Sequence, residues 1–157
     1  MRDYILETFR YNDESNKKQL QVIKTLPNPT ECVKIFSHVI NSQYKWMSRI
    51  TQVTNAGLME WWDPVYPIDQ LELEWDKSLV LFIDYFKALP LDELEKGIMF
   101  SVHEDKAGHW SVTPMEIALQ LNYHCIHHRA QMQTLIRAQG IEPEHVDYIY
   151  SRVKLYD

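Results

Sequence analysis

Glycine and cysteine are scarce in this chain: four glycines and two cysteines among 157 residues. A fibrous or low-complexity architecture would need many more glycines, and a disulfide-stapled one many more cysteines. Cys32 and Cys125 stand far apart with no CxxC context, which also excludes a cysteine-based zinc motif. Basic charge is scarce too. Sixteen Lys and Arg are scattered against 22 Asp and Glu, for a net charge of −6. A phosphate-backbone partner calls for a clustered basic face, so nucleic acid is not expected as a ligand. No uninterrupted apolar run approaches the length of a membrane-spanning helix. The opening Met1-Arg2-Asp3-Tyr4-Ile5-Leu6-Glu7 carries acids where a signal peptide has basic residues and then an apolar run. A cytoplasmic protein without a membrane partner is the expectation.

What is present is ordinary globular material, 45% apolar and 24% charged. A chain of this length folds as one domain, residues 1–157, and buries roughly two thirds of its unfolded surface. Four helical patterns separated by Pro and Gly can be read. The first runs from about Asp3 to Leu26 and stops at Pro27-Asn28-Pro29. The second starts near Thr30, a candidate cap, and reaches about Thr54. The third follows Pro67-Ile68-Asp69, with Asp69 as candidate cap, and ends at Leu89-Pro90. The fourth opens at Thr113-Pro114, Thr as cap and Pro at the first helical position, and ends at Gly140. Between the last two, Gly97–His103 and His109–Val112 switch to a strand-like pattern, which predicts a β-hairpin. A short helix is expected in the tail from Glu144 to Tyr156. The class that fits is all-α, a four-helix bundle, a fold that builds metal sites from inward-facing side chains of different helices.

Chemistry concentrates in Asn122-Tyr123-His124-Cys125-Ile126-His127-His128-Arg129. At about 100° per residue, Ile117, His128, Met132 and Leu135 fall within about 40° of Leu121 around the helix, and His124 about 60° to one side. His124 and His128 therefore share one face a turn apart, where both imidazoles can hold one metal ion. His127 belongs to the polar flank with Gln120, Gln131 and Thr134. Two buried neutral histidines would otherwise need hydrogen-bond partners that Ile117, Leu121 and Met132 do not supply. Two ligands are incomplete, because a zinc-like site wants at least three protein donors.

The remaining candidates are His38, His103, His109, His127 and His145. Only His38 lies on another long helical pattern, and it is chosen as the third donor, although it sits about 100° from Val39, at the edge of the apolar stripe beside Ser42. His103 and His109 fall on the hairpin, and His145 on a connecting segment. Arg129 is expected either to pair with an acid such as Asp147 or to meet an anionic substrate. Glu116 reads as a solvated first-turn residue suited to the helix dipole. Trp61-Trp62, in a proline-bounded loop, either wall a substrate pocket, cap the bundle core or make a dimer contact. No general base can be named, so catalytic residues stay unassigned.

The order of His38 on the second helix and His124-Cys125-Ile126-His127-His128-Arg129-Ala130-Gln131 on the fourth resembles the DinB-like family, within the larger DinB/YfiT-like superfamily. Weaker echoes are Tyr11-Asn12 and Asn16 ahead of Leu20 and Leu26-Pro27, Trp46 eight residues after His38, the hairpin, and Gly140 followed by Asp147-Tyr148-Ile149. The resemblance spans nearly the whole chain. It implies an up-down-down-up bundle, one divalent metal held by His38, His124 and His128, and a homodimer. Zinc suits three imidazoles best, while nickel, manganese and iron are also accepted. Relatives of this kind include S-transferases that use low-molecular-weight thiols, and hydrolases. The expected function is thus a metal-dependent transferase or hydrolase acting on a small molecule, the alternative being a non-catalytic metal-binding module.

Overall fold

The computed structural model describes residues 1–53, 56–100 and 110–154. Its order is α1 (Arg2–Ile23), α2 (Thr30–Ile50), a 3-10 turn (Ala56–Leu58), α3 (Leu71–Ala88), a second turn (Leu91–Glu93), β1 (Ile98–Phe100), β2 (Trp110–Val112), α4 (Pro114–Arg137) and a last 3-10 turn (Tyr148–Ser151). Both ends of α4 have local causes. Thr113 caps α4 reciprocally: its hydroxyl accepts from the Glu116 amide, and the Glu116 carboxylate accepts from the Thr113 amide, with Pro114 entering the first turn. Past its other end Gly140 takes φ +76, a left-handed conformation that only glycine adopts at little cost. Two expected caps are not used. Thr30 is the first helical residue, with Pro29 at the cap, and Gln70 rather than Asp69 precedes α3; neither start has a side-chain cap bond. Helix α2 ends at Ile50, short of the expected Thr54, and among the described residues of the tail Tyr148–Ser151 form a turn of 3-10 helix in place of the expected helix.

Side-chain pairings fix the helix directions. Thr8 and Asn12 meet Asn122, and Asn16 meets Arg129, so α1 and α4 run parallel. Cys32 reaches the Met132 carbonyl while His38 meets His124, so α2 and α4 are antiparallel. Phe9 stacks on Phe82, and Lys24 pairs with Glu72, so α1 and α3 are antiparallel. The result is an up-down-down-up four-helix bundle in which α1 and α2 each pack against α3 and α4. The core is an aromatic and aliphatic column of Phe9, Phe36, Trp75, Phe82, Phe86, Leu20, Ile40 and Leu121, all fully buried or nearly so. Ring contacts such as Phe36 on Trp75 at 5.9 Å add roughly 1 kcal/mol each beyond area burial. Helices α3 and α4 are bridged by the hairpin, where Ile98 pairs with Val112 and Phe100 with Trp110 in antiparallel register. Residues 101–109, including His103 and His109, lie outside the described residues. The connections at 51–70 and 89–113 are long because α2 and α3 point the same way, so that the first must run the length of the bundle, while the second crosses its end between diagonally opposite helices. Among the described residues no helix is long and apolar enough to cross a membrane.

Candidate metal centre

Helix α2 carries His38 in its middle, at a turn closed by the Ser42 hydroxyl donating to the His38 carbonyl at 2.8 Å. Helix α4 carries His124 and His128 one turn apart, and the antiparallel contact brings the two sets together. Ring centroids lie 4.3 Å apart for His124 and His128, 4.9 Å for His38 and His124, and 4.7 Å for His38 and His128. His38 and His128 are buried and His124 half-buried.

The tautomers follow from the outer bonds. His38 Nδ1 stands 2.8 Å from the Trp61 carbonyl, which can only accept, so Nδ1 carries the proton. His128 Nδ1 donates to Gln131 Oε1 at 2.7 Å, and the same amide donates through Nε2 to His127 Nε2 at 3.1 Å, which orients it. Both rings therefore aim a bare Nε2 lone pair inward. These two nitrogens meet His124 Nε2 at 3.1 and 2.9 Å. A neutral His124 has one proton and can satisfy only one of them. At least one pair of lone pairs is then left face to face without hydrogen between them. Charging a ring is no remedy: burial and the neighbouring imidazoles depress His124 to about 3, burial takes His128 to about 4, and burial lowers His38 as well.

A metal ion held between the three rings would resolve this. The three histidines each offer one donor atom, all within 4.8 Å of one another. Donors about 2.1 Å from a metal are about 3.0 Å apart at right angles and about 3.4 Å apart at the tetrahedral angle, so the separations of 3.1 and 2.9 Å from His124 to His38 and His128 are those of neighbouring ligands on a common ion. The outer bonds to Trp61 and Gln131 are the kind that fix a metal-binding imidazole. With no carboxylate among the donors, the ion would keep its full double charge.

A cavity of about 280 Å³ opens beside this cluster, lined by His38, Ser42, Trp46, Trp61, Trp62, Gln120, Leu121 and His124. The paired tryptophans thus wall a pocket rather than cap the core. Trp62 stacks on the His38 ring at 3.9 Å and 12° while remaining half in solvent. Of the other histidines, His127 is exposed and bonded to Gln131, and His145 is exposed beside Asp147 at 3.4 Å. Cys125 is buried on a different side of α4, its thiol pushed up to about 11 by burial, which makes it inert.

Arg129 departs from expectation. It meets neither Asp147 nor the pocket. It turns into the α1 interface, 2% exposed, and donates to Asn12 Oδ1 (3.0 Å), Asn16 Oδ1 (2.8 Å) and Tyr11 Oη (2.9 Å). One residue beyond His128 is about 100° around the helix, which points Arg129 at α1 while His128 faces α2. The role of Gln131 was visible in principle from its position three residues after His128. The Trp61 carbonyl, a backbone atom on a loop, left no mark in the sequence.

Neither a curated protein nor a solved structure matches the chain significantly. A family model does, over residues 1–153 of 157. With the bundle, the histidine cluster and a match of that extent in hand, the chain belongs to the DinB family.

Proposed function

We propose that this protein is a metal-dependent enzyme in which His38, His124 and His128 hold one divalent ion, and in which the adjoining pocket presents a small electrophile to a low-molecular-weight thiol. The observation that carries the reading is the convergence of inward-facing Nε2 lone pairs at the wall of a cavity. When bound, the ion supplies Lewis acidity, lowering the pKa of a thiol or water brought beside it and polarising a substrate oxygen. The chain's own groups do the rest. The Trp61 carbonyl and the Gln131 amide hold two imidazoles in one tautomer, and burial keeps all three neutral. Trp46, Trp61, Trp62 and Leu121 give the cavity an apolar wall that excludes water from an electrophile.

The described lining contains no carboxylate to serve as general base. A nucleophile here must lose its proton with little help, which favours a thiol, at about pKa 8.5, over water, at about 15.7. S-transfer is therefore preferred to hydrolysis. A non-catalytic structural site is disfavoured because the cluster among the described residues offers three donors, where a closed site takes four.

Elemental analysis of the purified protein is the direct test. One metal per chain is expected in the wild type and none in His128→Ala, with metal-dependent consumption of a thiol in the presence of a chloro-aromatic electrophile. Equal metal content in the two proteins would remove His128 as a ligand and end the proposal.

A further inference from the structure

Three of the chain's five tryptophans, Trp46, Trp61 and Trp62, stand around the one cavity that also touches His38 and His124. A merely apolar pocket needs only Leu, Ile or Val. Indoles add a preference of their own, because their charge distribution rewards stacked and edge-to-face contacts with another aromatic ring. The cavity, at about 280 Å³, lies at the lower limit of ligand sites, roughly 300 Å³ and upward, which restricts its occupant to one or two rings.

The aromatic walls are held in place by the protein itself. The segment that carries Trp61 and Trp62 is bonded to α2 along its length: Lys45 donates to the carbonyls of Gly57 and Met59, His38 to that of Trp61 at 2.8 Å and Asn41 to that of Pro64 at 3.1 Å, while the Tyr66 amide donates to Ser37 Oγ at 3.0 Å. Trp62 lies flat on His38, with 3.9 Å between centroids. Trp46 projects from α2 and meets the Phe100 ring edge-on at 5.7 Å. Walls fixed in advance spare a ligand the cost of ordering them.

Charge narrows the choice further. Lys45 Nζ stands 4.5 Å from the Trp61 centroid, and the Arg49 guanidinium 4.7 Å from that of Trp46, both cations buried and outside the cavity lining. An indole that already attracts one cation has little field left for a second, so this aromatic enclosure is a poor cage for an ammonium ligand.

We infer that the ligand of this pocket is a flat aromatic ring without a cationic group, held among Trp46, Trp61 and Trp62 with its reactive substituent toward His38 and His124. That orientation rests on the metal-dependent reading; the preference for a ring stands on the walls alone.

The test follows the indole N–H signals of isotope-labelled full-length protein by two-dimensional NMR, with one equivalent of zinc. Benzamide is titrated in, then its saturated counterpart cyclohexanecarboxamide, then benzyltrimethylammonium. Trp75, buried in the core with its indole donating to Asp13 at 2.9 Å, is the internal reference. Benzamide should shift the Trp46, Trp61 and Trp62 signals saturably and leave Trp75 unmoved. Affinity should be weaker by about fivefold or more for the other two probes, about the factor by which an aromatic pair exceeds equal apolar area. Trp62→Leu, at a half-exposed position, should weaken benzamide binding by a similar factor, and Trp62→Phe, which keeps a ring, should recover most of the loss; an unmoved Trp75 signal certifies that each variant is folded. Ring binding by a protein that takes up no zinc upholds this inference and refutes the metal reading alone, and zinc uptake without ring binding does the reverse. No saturable shift at the three indoles, equal affinity for cyclohexanecarboxamide, benzyltrimethylammonium bound as tightly as benzamide, or unchanged affinity in folded Trp62→Leu protein would overturn it.

Discussion

Gln131 offers no donor atom to the metal and yet should govern metal affinity. Its amide oxygen takes the Nδ1 proton of His128 at 2.7 Å, and its nitrogen is tied to His127 at 3.1 Å. In Gln131→Ala the His128 ring loses its only assigned outer partner and can place its proton on Nε2, the atom required for metal. The bond itself is worth about 1 kcal/mol between neutral groups, rising to roughly 1.5–3 kcal/mol once the ring is polarised by a cation. That difference of about 0.5–2 kcal/mol corresponds to a loss of affinity of about 2- to 30-fold, overlapping the roughly 10- to 100-fold usual for outer-shell partners of metal-binding histidines. Because Gln131 is exposed, the fold should survive unchanged, with a metal-free thermal midpoint close to wild type. Competition for zinc against a chromophoric chelator measures the effect. Gln131→Glu supplies a second arm: an anionic acceptor holds the same proton more strongly and should restore or exceed wild-type affinity. A Gln131→Ala protein that binds zinc as tightly as the wild type would refute the assignment of the inward-facing lone pair on His128.

Three further outcomes are expected. Arg129→Met removes the donor shared by Asn12, Asn16 and Tyr11, leaving buried acceptors unpaired; it should cost about 3–5 kcal/mol in urea unfolding, with m unchanged. The pH dependence of the metal-free protein follows from histidines whose folded values lie below 6.5. The folded state binds fewer protons than the unfolded chain in that window, so stability is flat above about pH 7 and falls as pH drops from 6.5 toward 4. Urea midpoints measured across this range check it, and a midpoint that rises on acidification would contradict the neutral, buried trio. We also propose a homodimer, on the strength of exposed apolar groups such as Tyr123 and Ile126 on α4; sedimentation equilibrium should give twice the chain mass, and a monomer at micromolar concentration would dismiss it.

Legibility in the sequence followed the physics of locality. The Thr113-Pro114 start and the Gly140 stop of α4 were readable because caps act within one turn, through atoms only a few residues apart. The caps of α2 and α3 were each misplaced by one residue for the complementary reason. No side chain caps them, and Thr30 and Asp69, good cap residues by type, are overruled by the flanking Pro29 and by the turn leading into Gln70. The bundle class came from periodicity, but the crossing connections could not, because loop length alone does not say which end of a bundle it spans.

Within the site the same boundary separates what was visible from what was not. His124 and His128 share a face as a consequence of helical geometry, so four residues of spacing were enough. His38 looked poorly placed, at the edge of its stripe, because a stripe is drawn against the mean core direction. In a bundle each helix has two partners, and a residue at the margin of one interface can sit in the middle of the other. Arg129 shows the same effect from the opposite side. It was expected to seek an acid in the tail, yet α1 lies about 100° round from the histidine face and offers Asn12, Asn16 and Tyr11 instead. Helix α4 therefore carries two polar seams, neutral imidazoles toward α2 and a guanidinium toward α1, with Ile117, Leu121, Met132 and Ile136 filling the sector between them. A helix of this kind has weak amphipathicity by construction. Holding both seams at once fixes its rotation about its own axis, and that rotation decides whether His124 and His128 meet His38 or miss it. On this argument the buried Arg129 cluster acts as the angular stop for the metal centre, and loosening it should weaken metal binding in Arg129→Met beyond what the loss of stability alone accounts for.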